Sequence, residues 1–443
     1  MSDYVFDVAV VGGGIIGLAS GWQLATAGAS VVVVDPDPGH GSTWAAAGML
    51  AAVTEAHYGE EAQLRLNLSG LAQWPDFAEQ LASDTGVDLS YRRVGTLVVA
   101  ADEDDRAAVR ELFEFQHRLG LEVSWHTPSE VREVVPLLAP GVRGGLMALD
   151  DHQVDPRAVV RALLSACRSR GVEVLRDSVV SMEGGPIGGT ALGGESPEIG
   201  VRVGNLRPAD SSRAGSPASE PIGGTFPEHG RSPGDGMTGA PKATGGRRSG
   251  YRLVLESAAA VSCGSVVLAA GSWSGQVVGV PGGAAGSVRP VKGELIRLKG
   301  SPATLPAHTV RGIVKGRSVY MVPRLDGTLV VGATMEERGF ETSVKAGSLY
   351  EALREARVLL PLVSELHFAE AIAGLRPGTP DNGPIIGAVP GAEDFVVATG
   401  HFRNGILLAP ITAASVAAMI TGDGSVPPEV ASFSPARFMS EAA

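Results

Sequence analysis

Between Asp7 and Asp35 the chain reads DVAVVGGGIIGLASGWQLATAGASVVVVD, and this stretch admits few folds. A valine-rich run, Val8 to Val11, breaks at Gly12, Gly14 and Gly17, continues as an Ala-rich helical pattern to Ala27, and turns at Gly28 into a second valine run. The order is strand, glycine turn, helix, strand. Gly12 permits a tight turn, Gly14 lets backbone approach a diphosphate, and Gly17 lets helix and strand pack closely. A diphosphate then sits on the helix N-terminus at Ile15 and Ile16, where free N–H groups and the helix dipole favour anions. Asp35 ends the second strand, where a carboxylate accepts hydrogen bonds from a ribose. A bare glycine motif is weak, but strand, helix, second strand and terminal acid in sequence make a dinucleotide site the expectation.

The chain has 443 residues, enough for a large core and two or three domains. Its formal charge is −12, from 36 basic and 48 acidic residues, which argues against nucleic acid or an anionic membrane as its main partner. No Lys or Arg precedes Arg65, so the basic region of a secretory signal is missing. The late apolar run from Gly405 to Ile420 contains Pro410 and is short for a membrane span. A soluble cytoplasmic protein is expected. Cys167 and Cys263 offer neither a metal cluster nor, in that compartment, a structural disulfide.

Further along, periodicity predicts a helix over Glu60 to Leu81, a strand over Tyr91 to Ala100 and a helix over Glu103 to Leu119. A helix over Arg157 to Arg170 and a strand over Val172 to Leu175 follow. His152 lacks partners at metal or triad spacing and reads as a loop histidine. From Glu183 to Gly250 the composition shifts to Gly, Ser, Pro and Thr without period, so residues 183–250 are expected to be a disordered insertion. Strand patterns flank it, at Asp177 to Met182 and Tyr251 to Leu255, which places it at the tip of a hairpin, where added length costs little. Ser265 to Ser274 reads as a buried parallel strand stopping at Gly271. Val288 to Leu298, Ser318 to Pro323 and Gly327 to Met335 read as an antiparallel sheet, and Ser348 to Leu360 as a helix stopped by Pro361. The expected fold class is therefore α/β: a Rossmann-like cofactor domain with a second, antiparallel-sheet α+β substrate domain. The division places 1–90, 150–275 and 376–443 in the first, and 91–149 and 276–375 in the second.

Several runs resemble one family. DVAVVGGGIIG with GSTWAAAGML, PVKGE at Pro290 to Glu294, VGATM at Val331 to Met335, AGLRPGT at Ala373 to Thr379, DNGPIIG at Asp381 to Gly387 and HFRNGILLAP from His401 are similar to the D-amino-acid oxidase superfamily of flavoproteins, and within it to the bacterial glycine oxidases of thiamine biosynthesis. The resemblance covers nearly the whole chain apart from 183–250, a region that is usually a short turn in glycine oxidases.

The resemblance implies FAD. Besides Gly12, Gly14, Ile15, Ile16 and Gly17, it implies contacts from Asp35 and Pro36 to the adenosine ribose, from Ser42 and Thr43 on the phosphate side, from Ala47, Gly48 and Met49 at the ring, and from Val180 to adenine through backbone. It adds His401, Phe402, Arg403, Asn404, Gly405, Ile406 and Leu407 at the cofactor. Arg376 matches the guanidinium that binds the substrate carboxylate, a task suited to a rigid bidentate fork. Tyr320 matches the hydroxyl that assists there, Arg403 is implied near substrate, and Met335 lines the pocket. Read from residues alone, Tyr320 is a strand aromatic and Met335 a core methionine. A helix starting at Gly405 would aim its N-terminus at the flavin C2=O edge. No cysteine follows Cys263, so FAD is expected to be noncovalent.

By this resemblance the chain oxidises glycine, sarcosine or D-alanine with O2, giving an imine, glyoxylate, ammonia and hydrogen peroxide, acts as a homo-oligomer, and can pass imine to a thiazole synthase. No base is required if hydrogen leaves Cα as hydride. The alternatives are a D-amino-acid oxidase or dehydrogenase of broader range, and a non-catalytic FAD-binding subunit of a larger enzyme.

Overall fold

The valine runs flanking the glycine turn become the centre of the first of two large sheets. A computed structural model describes residues 4–184, 250–422 and 424–439. The first sheet runs in the order Ile385–Val389, Ala392–Thr399, Ala260–Leu268, Tyr4–Val11, Val31–Val34, Glu173–Leu175. The last five of these pair in parallel, and Ile385–Val389 closes one edge antiparallel. All four residues of Val31–Val34 are buried, because a parallel strand covered on both faces has no polar side to show. The helices Ile15–Thr26, Pro156–Ser169 and Ala409–Thr421 share one face, packed around the fully buried Trp22 and Trp74.

The second sheet runs His367–Gly378, Arg289–Lys299, Thr328–Gly332, Arg317–Pro323, Thr309–Val314, Thr96–Ala100, Gly145–Ala148, Val123–His126. The helix Ala346–Leu359 covers its apolar face through Ala356 and Leu359. This sheet is not purely antiparallel. The hairpin turn at Gly316 uses one edge of Thr309–Val314, and the other edge takes Thr96–Ala100 in parallel.

Other expectations are corrected at their ends. The helix expected over Glu60 to Leu81 is two, Glu61–Ala72 and Trp74–Thr85, because Pro75 has no N–H to donate and opens a new first turn. The strand expected from Tyr91 begins at Thr96, with Arg92 forming only an isolated bridge to Gln153. Ser265 to Ser274 is strand only to Leu268, then a 3-10 turn over Gly271–Gln276. The helix expected from Gly405 starts at Ala409, where Pro410 sits in the first turn, so the run from His401 to Leu408 is a turn. The strand His367–Gly378 carries Arg376 in the second sheet, so a division at 376 falls inside a strand.

The strands Val179–Gly184 and Tyr251–Leu255 pair antiparallel from Gly184 opposite Tyr251 to Val179 opposite Leu255. The disorder expected for 183–250 concerns residues that, apart from 183, 184 and 250, lie outside those described. Since residues 184 and 251 are already neighbours across a ladder, replacing 185–249 by a short Gly-containing turn should leave folding and flavin content near wild type. Circular dichroism and the flavin-to-protein absorbance ratio check this, and loss of either would assign the segment a structural role.

Candidate active site

The cradle for a dinucleotide lies where Tyr4–Val11 and Ala260–Leu268 end side by side. Gly12 has φ +106°, and a Cβ there would lie 2.4 Å from the Ala269 carbonyl oxygen. A Cβ at Gly17 would lie 1.9 Å from the Gly12 carbonyl oxygen, so neither position takes a side chain. Gly14 caps the helix without a side-chain bond, and an added Cβ there would meet only Thr43 Oγ1, at 3.6 Å. That oxygen also accepts from the Ile15 N–H at 3.1 Å. Asp35 accepts from the Gly13 N–H at 2.6 Å and the Asp37 N–H at 2.8 Å. Burial raises its carboxyl pKa, and those two N–H groups oppose the rise. Ile16 is buried in the core, and Pro36 is exposed beside Asp35.

The loop after Asp35 joins the two sheets. Ser42 donates its hydroxyl to the Leu375 carbonyl, as does Ser272, at 2.9 Å. Ala47 and Gly48 are held by Arg324, which donates to the carbonyls of Ala47 and, at 2.6 Å, Val154. Burial pulls the Arg324 guanidinium down to about 10. Met49 pairs with Gln153 and packs, with Tyr320, against a cluster containing Ala45, Ala47 and Leu295.

Arg376, Tyr320 and Arg403 come together. Arg376 donates from Nη1 to the Thr334 carbonyl at 3.1 Å. Two glycines make the room: a Cβ on Gly293 would strike the Arg376 guanidinium at 2.2 Å, and one on Gly332 the Tyr320 hydroxyl at 2.6 Å. Burial pushes the Tyr320 phenol up against the pull of Arg376 and Arg311, and pulls the Arg376 guanidinium down against the pull of Tyr320. The Phe402 N–H bonds the Pro377 carbonyl at 2.9 Å, tying the turn of Arg403 to the strand of Arg376. Phe402 holds φ +47°, a costly value for a bulky residue and one concentrated at functional sites. Trp74 pins the same turn through the Leu407 carbonyl at 2.9 Å. Asn404, Gly405 and Ile406 complete that turn, and Asn404 accepts from Leu408 N–H at 2.9 Å. His401 is buried, its Nε2 is 3.0 Å from Thr412 Oγ1, and burial lowers its pKa to about 3, so its ring is neutral and hydrogen-bonded within the protein.

Two expected residues have exposed side chains. Met335 lies beyond the strand that ends at Gly332 and is 65% exposed, not a core methionine. Val180 is exposed on the hairpin strand. Conversely, the sequence reading missed Glu55 and Arg311. Arg311 Nη1 is 2.5 Å from Glu55 Oε1, and Arg403 Nη1 is 3.3 Å from Glu55 Oε2. Desolvation alone would raise the Glu55 pKa, yet the Arg311 guanidinium, with His57 and Arg403, holds it far below the usual range. Behind them, Asp151 accepts from Thr54 Oγ1 at 2.5 Å and the Val53 N–H at 2.9 Å. The only signals for this group were an acid in an otherwise small and apolar stretch (AAVTEA) and a lone Arg in an alternating strand.

A parallel sheet ending in a glycine cradle, joined to a second sheet that presents a half-buried guanidinium beside a phenol, is the arrangement of a dinucleotide-dependent enzyme. The chain belongs to the FAD dependent oxidoreductase family, whose model matches residues 7–202 and 236–419. It is similar to the hydrogen cyanide synthase subunit HcnC of Pseudomonas aeruginosa, at 26% identity over 99% of this chain and 97% of that one. It is 29% identical to the bifunctional protein ThiO/ThiG of Synechocystis, over 98% of this chain and 54% of that longer one. The crystal structure of glycine oxidase from Geobacillus kaustophilus superposes with a TM-score of 0.76 at 27% identity, over 99% of this chain and all of the other. FAD fits the cradle: Cβ atoms at Gly12 and Gly17 would clash with backbone, Gly14 is open and supplies no capping side chain, and of the first helical N–H groups that of Ile15 is taken by Thr43. Among the described residues no His, Cys, Asp or Glu group is arranged for a metal, and no helix is long and apolar enough to cross a membrane.

Gly17→Ala should lose FAD, because a clash with backbone cannot relax as a flexible side chain does and overpacking alone costs about 1–3 kcal/mol; the flavin-to-protein ratio after gel filtration reads this. Asp151 gives a pH signature. Burial raises its pKa from 3.8 to about 6, so its contribution to stability is full below the unfolded value and lost as pH rises through the folded one. The stability of Asp151→Asn relative to wild type should therefore climb between about pH 4 and 6 and then level, as measured by urea unfolding.

Proposed function

We propose that the protein oxidises the amine of glycine to an imine that hydrolyses to glyoxylate and ammonia, or that of small relatives such as sarcosine and D-alanine to imines that hydrolyse to the corresponding 2-oxo acid and amine. The observation that carries this reading is Arg376, half-buried beside Tyr320 in a recess cleared by Gly293 and Gly332. In this reading Arg376 holds the substrate carboxylate through its fork, Tyr320 donates to the same carboxylate, and Arg403 closes the site from the 401–408 turn. When bound, noncovalently, FAD supplies the two-electron acceptor for hydride from Cα and passes the electrons to O2, giving hydrogen peroxide. Gly12, Gly14, Ile15, Ile16 and Gly17 would hold its diphosphate and Asp35 its ribose, with Ala47 to Met49 and the 401–407 turn as the residues that would meet its ring.

No side chain need take the Cα proton, in keeping with a neutral His401 turned to Thr412. Substrate must then arrive with a free amine lone pair, so kcat/KM should rise with pH until the reacting amine is deprotonated. The protein is proposed to work in the cytoplasm; the fused ThiO/ThiG relative supports transfer of imine to a thiazole synthase, as in thiamine biosynthesis. A second reading, a flavin subunit of a larger enzyme, has the relative named as a synthase subunit in its favour. Oxidation of glycine by the purified chain alone decides between them.

Removing Arg376 leaves a carboxylate with too few donors. Truncating one partner of a buried charged pair costs about 2–5 kcal/mol, or roughly 30- to several-thousand-fold in kcat/KM. Arg376→Ala should show that loss with FAD retained, and Arg376→Lys should recover only part of it, since an ammonium restores charge without two parallel bonds. Anaerobic bleaching of the flavin by glycine, sarcosine and D-alanine, then admission of air, measures reduction and reoxidation separately. A flavin-loaded Arg376→Ala protein with near-normal kcat/KM would refute the assignment.

A further inference from the structure

Arg376 and Arg311 act on the Tyr320 phenol, and Arg403 joins them through Glu55 and the field of Arg376, while the substrate proposed above brings one carboxylate. Arg311 stands directly opposite Tyr320 across the ladder, where paired side chains meet, and Arg376 reaches the phenol from the other sheet edge. Glu55 is the counter-charge. Its side chain is 10% exposed, and its two oxygens are divided, Oε1 to Arg311 at 2.5 Å and Oε2 to Arg403 at 3.3 Å. Thr54 Oγ1 takes a further bond from Arg311 Nη1 at 3.3 Å, so that guanidinium is anchored at the protein wall. Among the described residues Arg376 makes no direct ion pair: it bonds the neutral Thr334 carbonyl and the Tyr320 phenol, and Glu55 acts on it only through space, less strongly than Arg403 does.

We infer that Glu55 sets the charge class of the ligand: by occupying Arg311 and Arg403 it leaves Arg376 for a single carboxylate and disfavours compounds with two. The inference rests on the reading of Arg376 as the carboxylate anchor. Glu55 is on this account a positioning residue that acts through the two guanidiniums. Without it, Arg403 loses its carboxylate partner and Arg311 keeps only the Thr54 hydroxyl and the field of Asp151, so positive charge is released beside Arg376 and the site becomes one for amino acids or secondary amines that carry a second acidic group. A carboxylate in a recess already holding an ionised Glu55 meets like-charge repulsion, which is how specificity is obtained against a near relative of the preferred ligand.

The test is binding without turnover. FAD-loaded wild type, Glu55→Gln and Arg311→Gln are titrated at constant ionic strength with acetate, malonate and succinate, followed by perturbation of the visible flavin spectrum. In Glu55→Gln the affinity for the better diacid relative to acetate should rise about tenfold or more, the worth of one charge-assisted contact. In Arg311→Gln the same ratio should fall, since Glu55 then faces Arg403 alone. A merely structural role for Glu55 would weaken all three acids together. If Glu55→Gln does not retain FAD, the charge-balanced Glu55→Gln/Arg311→Gln protein replaces it, and the ratio should still exceed wild type because Arg403 is released. A diacid-to-acetate ratio unchanged in the variants overturns the inference. Failure to oxidise glycine, with the ratios moving as stated, would instead sink the proposed activity and leave the role of Glu55 standing.

Discussion

The Leu375 carbonyl accepts hydroxyls from Ser42 and Ser272, and the site depends on that junction. Ser42 belongs to the loop that follows Asp35, next to the Thr43 that caps Ile15; Ser272 lies in the turn that ends Ala260–Leu268. Leu375 directly precedes Arg376 on a strand of the other sheet. One backbone oxygen therefore fixes the strand that carries Arg376 against the glycine cradle. Both donors are short side chains, which lose little rotamer freedom on ordering and transmit little slack. Gly374 presses on Ala45 at the same point, where a Cβ would approach to 2.8 Å, so the contact is one of backbone against helix.

The electrostatics follow from burial. Each buried or half-buried cation of this region has been given acceptors: Arg324 two backbone carbonyls, Arg376 one, Arg311 a carboxylate and a hydroxyl. Lys292 and Glu294, both fully buried, pair at 2.8 Å on the strand next to that of Arg376. Buried pairs of this kind seldom add stability over an apolar pair, but removing one partner is costly, so they specify register more than they strengthen it. A slip of one residue in Arg289–Lys299 would point Lys292 and Glu294 to the face that Gly293 keeps clear for Arg376.

Local signals carried much of this architecture. The glycine spacing, the valine runs and the terminal Asp35 announced the first sheet because each is a consequence of short-range geometry. Helix ends set by proline, at Pro75 and Pro410, were misplaced because periodicity continues through them while hydrogen bonding does not. The parallel pairing of Thr309–Val314 with Thr96–Ala100 had no local signature at all, since it joins segments about two hundred residues apart. Arg376, Tyr320 and Arg403 were reached through motif resemblance, and the structure sets them together. Glu55 and Arg311 escaped because an isolated acid and an isolated base in apolar surroundings declare nothing until the fold brings them to 2.5 Å. Met335 sits in a recognisable motif, yet its side chain is exposed.

The pairing of Gly184 with Tyr251 has a consequence for how this chain can be handled and how it can vary. To the sheet, the two strands are joined as by a tight turn, whatever length of chain intervenes, because the ladder registers only their ends. Loop-closure cost grows with the logarithm of length, so doubling the intervening chain adds only about 0.6 kcal/mol. The position is thus a natural socket: an affinity tag, a fluorescent reporter or a whole second domain can be threaded in there, with both termini left free and the cradle at Gly12 untouched.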